Sequence, residues 1–284
     1  MPFSNKPLIQ KHFDAKASQY ESSAVLQQEV CQRMLERLDF VNLQPSKILD
    51  VGTGTGWGMQ GLMQRYKSAQ VFALDLSEPM LKQSRQKGGW LRKPKLICAD
   101  AERLPIADES VDLIFSNLML QWCNAEKVFA EFKRILKPNG LLMFSSFGPD
   151  TLKELRYSWA QLDHQPHVND FIDMHDLGDA LLTCGLAEPV MDADLMTLNY
   201  DSPRMVMNDL KNIGANTTLN KKNKGLLTPR QLKKVLESYE SFRQNNVIPA
   251  SYEVVYGHAW KTPPKPKKSD RVDFSFPAKQ LLKP

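Results

Sequence analysis

Apolar and polar positions along the chain follow first a helical pattern and then an alternation of strand-like and helical segments. In the first forty residues apolar side chains recur at helical spacing among Gln, Glu and Arg, at Val25, Val30, Met34, Leu35 and Leu38. Five short apolar runs follow and predict strands at Lys47–Val51, Gln70–Leu74, Lys95–Cys98, Val111–Ser116 and Leu141–Ser146. We therefore expect a helical N-terminal segment, residues 1–45, ahead of a sheet.

Amphipathic stretches separate these runs and predict helices at Trp57–Tyr66, Pro79–Gln86 and Ala125–Leu136. The tetrapeptide KPNG at 137–140 ends the last of these helices and turns the chain into the fifth strand. Strands that alternate with helices indicate a parallel sheet with helices on both faces. Right-handed crossovers then place the carboxyl ends of the strands along one edge, so residues that follow each strand come together.

The pattern changes after Phe147. Two longer segments are rich in β-branched and aromatic residues and predict strands at Val190–Tyr200 and Tyr252–Trp260. Helical patterns occur at Thr151–Leu162, His175–Cys184, Pro203–Ile213 and Thr228–Arg243. We expect one α/β domain over residues 1–260, with a mostly parallel seven-stranded sheet and a helical insertion, 202–248, before the last strand. Residues 261–284, rich in Pro and Lys at their start, are expected to form a flexible tail.

Composition narrows the class of protein. The 284 residues are 42% hydrophobic and 24% charged, which is ordinary for a globular chain with a substantial core. No apolar run approaches the length that spans a bilayer, and the N-terminus lacks the apolar core of a signal peptide. The 4 cysteines are far apart and form no CxxC pair, which predicts neither a disulfide framework nor a metal site. A cytoplasmic protein with free thiols is expected.

Charge is unevenly distributed along the chain. The net charge is +5, but residues 202–284 carry 16 Lys and Arg against 6 Asp and Glu, so the rest of the chain is mildly acidic. A basic surface of this kind favours an acidic partner, which can be a nucleic acid, an anionic membrane or an acidic protein.

The segment Asp50-Val51-Gly52-Thr53-Gly54-Thr55-Gly56 follows the first predicted strand and precedes a helix. Its three glycines allow a sharp turn and a close approach of the backbone to a ligand. The N-terminus of the next helix presents free N–H groups to the same ligand. A glycine-rich turn alone does not identify the ligand, because nucleotide-dependent dehydrogenases also use one.

Polar side chains at the ends of the next three strands make the glycine turn more specific. Asp75 ends the second strand and lies 25 residues after Asp50, about the spacing at which an acidic residue accepts from ribose hydroxyls. Asp100 ends the third strand, where its carboxylate can accept from an adenine amine, and Asn117 ends the fourth. All of them lie at the edge where open α/β sheets bind ligands, which predicts an adenosine-containing cofactor.

Residues 47–147 resemble the class I methyltransferases. The matching pieces are ILDVGTGTG, LDLS, ADAERLPIADESVDLIFSN and LKPNG, which are similar to motifs I to VI of that superfamily. The resemblance implies a Rossmann-like fold, a cofactor-binding core at 47–147 and S-adenosylmethionine in place of NAD. The cofactor-binding residues that it implies are Phe13, Tyr20, Asp50, Gly52, Thr53, Gly54, Gly56, Asp75, Leu76, Met80, Asp100, Ala101, Asn117 and Leu118.

The flanking segments resemble one family within that class, the malonyl-acyl-carrier-protein O-methyltransferases that begin biotin synthesis. The similar pieces are FDAKASQY at 13–20, SNLMLQWC at 116–123, FGPDTLKEL at 147–155, LKNIGA at 210–215 and LLTP at 226–229. Thr53 departs from the family, many of whose members carry a small residue or cysteine there. A sister group, the mitochondrial complex I assembly factor that hydroxylates an arginine, shares 147–155 and 249–256.

The family resemblance implies methyl transfer from S-adenosylmethionine to the free carboxylate of a malonyl thioester on acyl carrier protein. Tyr20 and Phe13 would form part of a lid over the cofactor, and Gln121 and Trp122 would border the methyl group. Arg156, His167 and Lys211 are the candidate hosts of the carboxylate. The acidic carrier would dock on the basic insertion, at Lys221, Lys222, Lys224, Arg230, Lys233 and Lys234.

Three other functions stay open on the residues alone. One is a small-molecule methyltransferase of the quinone or aconitate type, and another is an S-adenosylmethionine-binding assembly factor or arginine hydroxylase. A nucleic-acid-binding protein is the third, although the basic region lacks the interleaved aromatic residues that stack on bases. We expect neither nucleic acid nor a membrane as the partner.

Overall fold

The computed structural model describes residues 5–89, 92–215 and 227–263. Its strands are β1 (Lys47–Val51), β2 (Gln70–Asp75), β3 (Lys95–Cys98), β4 (Val111–Ser116), β5 (Leu136–Phe147), β6 (Ala187–Tyr200) and β7 (Ile248–Trp260). They form one seven-stranded sheet in the order β3-β2-β1-β4-β5-β7-β6. β7 is antiparallel to both of its neighbours, and all other pairs are parallel. The predicted fold class is confirmed.

Helices cover both faces of this sheet. They are α1 (Lys6–Lys16), α2 (Tyr20–Ser23), α3 (Val25–Arg37), α4 (Trp57–Arg65), α5 (Glu78–Lys87), α6 (Ala125–Ile135), α7 (Lys153–Ala160), α8 (Met174–Cys184), α9 (Pro203–Asn212) and α10 (Pro229–Glu240). Local signals define their ends. Ser77 caps α5 by accepting from the Met80 N–H, and Asn124 caps α6 by accepting from the Lys127 N–H. Gly185 ends α8 in the left-handed conformation.

The start of β5 differs from the prediction. The strand begins at Leu136, five residues before the predicted Leu141, because Leu136 already pairs with Val111 of β4. The KPNG stretch is therefore an irregular part of the strand and not only a turn. Asn139 accommodates it at a positive φ of 62°, and its N–H donates to the Lys261 carbonyl at 2.8 Å.

Two apolar clusters lie on the two faces of the sheet. Successive strand residues point to opposite faces, so Ile48 of β1 joins one cluster and Leu49 joins the other. The first cluster packs α3 and α4 against the sheet through fully buried side chains such as Met34 and Leu62. The second packs α6 and α8 against it, with Phe132 among the fully buried aromatic residues.

The N-terminal helices and the insertion both border the carboxyl edge of the parallel strands. α1 contacts α5, and α2 contacts α9 of the insertion. α9 also packs on β6, and α10 packs on α7. Residues 216–226 of the insertion and residues 264–284 of the predicted tail lie outside the described residues. Across the part of the chain that is described, no helix combines the length and apolarity needed to cross a bilayer.

Phe132→Ala tests the second cluster. The side chain is fully buried in α6, so its removal leaves a cavity and is expected to lower the free energy of unfolding by about 3–5 kcal/mol. Urea unfolding followed by circular dichroism measures this. Lys127→Ala, an exposed position on the same helix, is the matched control and should stay within about 0.5 kcal/mol of the parent. Equal effects of the two changes would contradict this packing.

Candidate functional site

A large cavity opens at the carboxyl edge of the parallel strands. It holds about 1480 Å³ of empty space, counted with its open mouth. Its wall comes from the turns that follow β1, β2, β3 and β4, from α1 to α3, and from the segments around α7 and α9. Fourteen of the residues predicted for the site line it: Phe13, Tyr20, Gly52, Gly54, Asp75, Leu76, Met80, Asp100, Ala101, Asn117, Leu118, Gln121, Trp122 and His167.

The glycine turn after β1 forms one end of this wall. Gly52, Gly54 and Gly56 have φ of 73°, 54° and 91°, a region that side chains disfavour. The N–H groups of Gly52 and Thr53 donate to the Leu74 carbonyl at 2.8 and 3.0 Å, which ties the turn to β2. A Cβ on Gly52 would lie 2.5 Å from Cγ of Met119, whereas a Cβ on Gly54 would meet nothing within 4 Å. Gly54 therefore faces the open cavity.

Asp50, Thr53 and Gly56 support the turn from behind and are not part of the cavity wall. Thr53 Oγ1 donates to Asp50 Oδ2 at 2.6 Å. Burial raises the pKa of Asp50 to about 7, against the opposing effect of that hydrogen bond. The structure thus brings these three predicted residues next to the site without giving them a surface in the cavity.

Asp75 joins the glycine turn to the end of β2. Its Oδ2 accepts from the Gly54 N–H and its Oδ1 from the Ser77 N–H, both at 2.8 Å. Enclosure by the surrounding protein raises the pKa of Asp75 to about 6, although the N–H donors oppose this shift. Each carboxylate oxygen has a further lone pair, so Asp75 can still accept from a ligand.

Asn117 links the end of β4 to its neighbours. Its Nδ2 donates to the Gln27 carbonyl at 2.9 Å, and its Oδ1 accepts from Ser145 Oγ at 2.9 Å. Gln121 Nε2 donates to the Leu118 carbonyl at 2.6 Å. The Oε1 atoms of Gln121 and Gln27 are buried, and neither has a hydrogen-bond partner in the described structure. Both residues line the cavity, which therefore contains unpaired acceptors beside the end of β4.

Aromatic side chains from the N-terminal helices lie over this region. The Phe13 ring meets the Trp122 ring edge-on, with centroids 5.4 Å apart, and lies 6.5 Å from the Tyr20 ring. Burial near the charge of Asp75 raises the pKa of the Tyr20 hydroxyl well above its usual range, so the phenol stays neutral.

Polar contacts fix α1 in the same place. Gln10 Nε2 donates to the Leu76 carbonyl at 3.1 Å, and Ser77 Oγ donates to Asp14 Oδ1 at 2.6 Å. Lys6 Nζ lies 2.8 Å from Asp100 Oδ1. Lys6, Gln10 and Gln27 were not among the residues predicted for the site, because nothing in their local pattern distinguishes them from ordinary polar positions on a helix surface.

The opposite end of the cavity is largely apolar and is built by α7, α9 and the last two strands. Its apolar residues include Phe147, Leu155, Phe171, Leu198, Leu210 and Ile213. His167 is the predicted polar residue in this part of the wall. Its ring stacks on Trp159 at a centroid distance of 3.9 Å, and its Nε2 lies 2.9 Å from Asp163 Oδ1.

Arg156 and Lys211 do not reach the cavity wall. The Arg156 guanidinium lies 3.2 Å from Asp170 and donates to the carbonyls of Thr151 and Pro149, where it satisfies the start of α7. Lys211 is exposed, because its neighbour Leu210 faces the cavity and successive helical residues point about 100° apart. The structure therefore does not support these two side chains as hosts for a carboxylate.

The described part of the chain contains no cluster of three or more His, Cys, Asp or Glu side chains that could hold a metal ion.

The comparisons with known proteins identify the family. The family described as "Methyltransferase domain" matches residues 49–144. A malonyl-acyl-carrier-protein O-methyltransferase of Gallionella capsiferriformans is 47% identical over 92% of each chain. One from Laribacter hongkongensis is 46% identical over 94% of this chain and 93% of its own, and one from Legionella pneumophila is 37% identical over 97% of both. The chain belongs to the malonyl-acyl-carrier-protein O-methyltransferase family.

Structures of more distant proteins share the fold. A SAM-dependent methyltransferase from Thermotoga maritima has a TM-score of 0.54 at 15% identity and matches 89% of this chain and 100% of its own. The YcgJ protein of Bacillus subtilis has a TM-score of 0.59 at 14% identity and matches 82% of this chain and 100% of its own. The relatives do not favour a quinone- or aconitate-type enzyme or an assembly factor.

The methyltransferase assignment makes S-adenosylmethionine the cofactor, and the residues of the cavity fit it. Gly54 leaves space for a ligand against the backbone, and the Asp75 carboxylate can accept from ribose hydroxyls. The buried Oε1 atoms of Gln27 and Gln121 provide unpaired acceptors for a cationic amino-acid group.

Gly52→Ala and Gly54→Ala form a matched pair that tests the glycine turn. Both place a side chain at a positive φ, which costs about 1–2 kcal/mol. Only Gly52→Ala also collides with Met119, so its melting temperature is expected to fall at least twice as far. Differential scanning fluorimetry of the ligand-free proteins measures this, and equal losses would contradict the close packing at Gly52.

Proposed function

We propose that this methyltransferase transfers the methyl group of S-adenosylmethionine to the free carboxylate of malonyl-acyl-carrier protein, forming the methyl ester that begins biotin synthesis. The observation that carries this proposal is the similarity, over nearly the whole chain, to relatives named for that activity. It extends beyond the cofactor-binding core to the N-terminal helices, which border the cavity over the turns after β2 and β3, and to the insertion, whose α9 contributes to the apolar end.

In this proposal the cofactor lies along the turns that follow β1 to β4. Asp75 accepts from the ribose hydroxyls, Asp100 accepts from the adenine amine, and Gly52 and Gly54 allow the close approach. Leu76, Met80, Ala101 and Leu118 supply apolar contacts from the same turns. S-adenosylmethionine supplies an electrophilic methyl group on a positively charged sulfur.

The acceptor needs orientation more than activation. A carboxyl group with a pKa near 4 is already ionised at neutral pH, so no general base is required. Alignment of two bound reactants can provide roughly 7–11 kcal/mol of the barrier. Residues 1–45 act as a lid in this view. Phe13 and Tyr20 of the lid, together with Trp122 after β4, exclude water from the reacting groups. Gln121, held by its bond to Leu118, borders the methyl group.

His167 is the proposed host of the malonyl carboxylate. Of the three basic residues considered from the sequence, it alone lines the cavity. Trp159 holds one face of the imidazole and Asp163 bonds its Nε2, so the ring has a defined orientation. Because Nε2 donates to the Asp163 carboxylate, a further hydrogen bond to the malonyl carboxylate requires a proton on Nδ1 as well. The group proposed to direct the reacting oxygen is therefore the imidazolium, with Asp163 balancing its charge.

The carrier protein is proposed to dock on the basic part of the insertion. Arg230, Lys233 and Lys234 are exposed on α10, whereas Lys221, Lys222 and Lys224 lie outside the described residues. An acidic partner gains mainly in association rate and orientation from such charges, and salt screens the effect. α10 packs on α7, and Leu155 of α7 lines the cavity, so a partner bound on α10 lies one helix away from the proposed substrate end.

Incubation of the protein with methyl-labelled S-adenosylmethionine and malonyl-loaded carrier protein tests the proposal. We expect label on the carrier as a base-labile ester, and none on carrier loaded with an acetyl group, which lacks the free carboxylate. Transfer to another acceptor, with no label on the malonyl carrier, would overturn it.

His167→Gln is expected to raise the KM for malonyl-acyl-carrier protein about 10- to 100-fold, because a hydrogen bond to a charged group contributes about 1.5–3 kcal/mol. The dissociation constant of S-adenosylhomocysteine should change little. His175→Gln is the matched control, since His175 also bonds an aspartate but its side chain is 84% exposed on α8. An unchanged KM in His167→Gln would remove this residue from the substrate site.

Charge reversal at Lys233 and Lys234 tests the docking surface. The double change to Glu is expected to raise the KM for the carrier-bound substrate roughly tenfold at low salt and less at high salt, because rim charges are screened. Activity on free malonyl-coenzyme A is the internal reference and should not follow this pattern. Lys82→Glu with Arg85→Glu, exposed on α5, reverses two charges away from the insertion. Equal effects of the two double variants would rule out docking on α10.

A further inference from the structure

The site also contains a contact that the reaction itself does not call for. Lys6, in the first turn of α1, extends its side chain to the loop after β3, 94 residues away in the chain. Its Nζ lies 2.8 Å from Asp100 Oδ1 and 3.1 Å from Glu102 Oε1, and it donates to Cys123 Sγ at 3.2 Å. The Lys6 side chain is only 21% exposed.

The position of Lys6 makes it unusual among the basic residues. Within residues 5–89, 92–215 and 227–263 it is the one Lys or Arg side chain that lines the cavity. Partly buried ion pairs require good geometry, because the loss of hydration offsets much of the attraction. An ammonium group that touches two carboxylates and a thiol satisfies its three donors and compensates for that loss.

The two carboxylates have further bonds that connect three parts of the site. Asp100 Oδ1 also accepts from the Glu102 N–H at 3.0 Å, and Glu102 Oε1 accepts from the Asn124 N–H at 2.8 Å. Lys6 therefore joins α1 to the turn after β3 and, through Glu102, to the segment after β4. Movement of α1 away from the sheet would break all three of the Lys6 contacts together.

The bonds to Asp100 are unequal. Both of its protein partners, Lys6 Nζ and the Glu102 N–H, bond Oδ1, and no group in the described structure bonds Oδ2. A carboxylate held in this way by one oxygen presents the other to a ligand in a defined direction. The adenine amine is the donor proposed for Asp100. The contact that holds α1 in place therefore also sets the direction in which Oδ2 meets the adenine amine.

We propose that Lys6 is a positioning residue for the cofactor: by holding Asp100 Oδ1 it orients Oδ2 toward the adenine amine, and it thereby couples docking of α1 to recognition of the base. Without Lys6 the Asp100 carboxylate keeps only the Glu102 N–H at its Oδ1, and Glu102 keeps only the Asn124 N–H and the more distant Lys127, 3.9 Å away. Both carboxylates are then held less firmly and are more hydrated. A hydrogen bond to a hydrated, mobile carboxylate discriminates weakly between ligands. The inference rests on the cofactor half of the proposed function and not on the methyl acceptor.

The test compares two ligands by calorimetric titration of the full chain at fixed pH and salt. One is S-adenosylhomocysteine, and the other is its purine riboside analogue, which has hydrogen in place of the exocyclic amine. The parent protein is expected to prefer the amine-bearing ligand roughly 10- to 100-fold, the range for one hydrogen bond to a charged group. Lys6→Ala and Lys6→Gln are expected to reduce that preference about tenfold, and Lys6→Arg to restore part of it.

Lys11→Ala is the matched control, because Lys11 is exposed on the same helix and should leave both affinities unchanged. Thermal melts of the ligand-free variants establish that each is folded, and the conservative Lys6→Arg keeps the comparison available if Lys6→Ala does not fold. A preference that survives in Lys6→Ala and Lys6→Gln, even with both ligands weakened equally, would reduce Lys6 to a structural latch and overturn the proposal. Absence of any preference in the parent protein would overturn it as well.

Because these measurements use binding alone, their outcome is independent of the methyl acceptor. Failure of the malonyl-carrier assay would leave the ligand preference intact. Loss of the preference would leave the transfer assay to decide the substrate.

Discussion

The attachment of the glycine turn to the end of β2 is the contact on which the site depends. Two N–H groups of the turn donate to the Leu74 carbonyl, and a third, from Gly54, donates to the Asp75 carboxylate. These bonds hold the backbone at positive φ with its surface toward the cavity, and they leave Asp75 with lone pairs for a ligand. The enclosure that makes this possible also raises the pKa of Asp75, so the same burial shapes the site and alters its charge balance.

The remaining walls of the cavity are elements laid over that edge. α1 is held by Lys6, Gln10 and Asp14, whose partners lie on the turns after β2 and β3. The other end is closed by apolar side chains of α7, α9 and the last two strands and by His167, which lies in the segment between α7 and α8. Apart from Lys6, the wall offers the substrate no Lys or Arg among the described residues. A reaction between an anion and a cation needs little more, because the two charges neutralise each other during transfer.

The local sequence pattern was sufficient to predict the helices and strands and to place polar residues at the ends of the strands. Short apolar runs, β-branched and aromatic segments and the glycine turn depend on neighbours in sequence, and all seven predicted strands are present. Side-chain direction was not predictable in the same way. Arg156 and Lys211 were reasonable carboxylate hosts by residue type, yet one satisfies the start of its own helix and the other points to solvent. Asn117 was assigned to the cofactor from its position. In the structure its amide nitrogen donates to the Gln27 carbonyl and its amide oxygen accepts from Ser145 Oγ.

By itself the sequence determined the order of strands and helices, the class of cofactor and, through the resemblance of its flanks, the family. These depend on spacing, residue type and turn chemistry, which involve residues close together in the sequence. Only the tertiary structure decided which polar side chains share the cavity. The contact of Lys6 with Asp100 spans 94 residues, and it arises from the packing of α1 against the sheet edge. No local pattern encodes such a pair, because its geometry depends on how separate elements are placed in space.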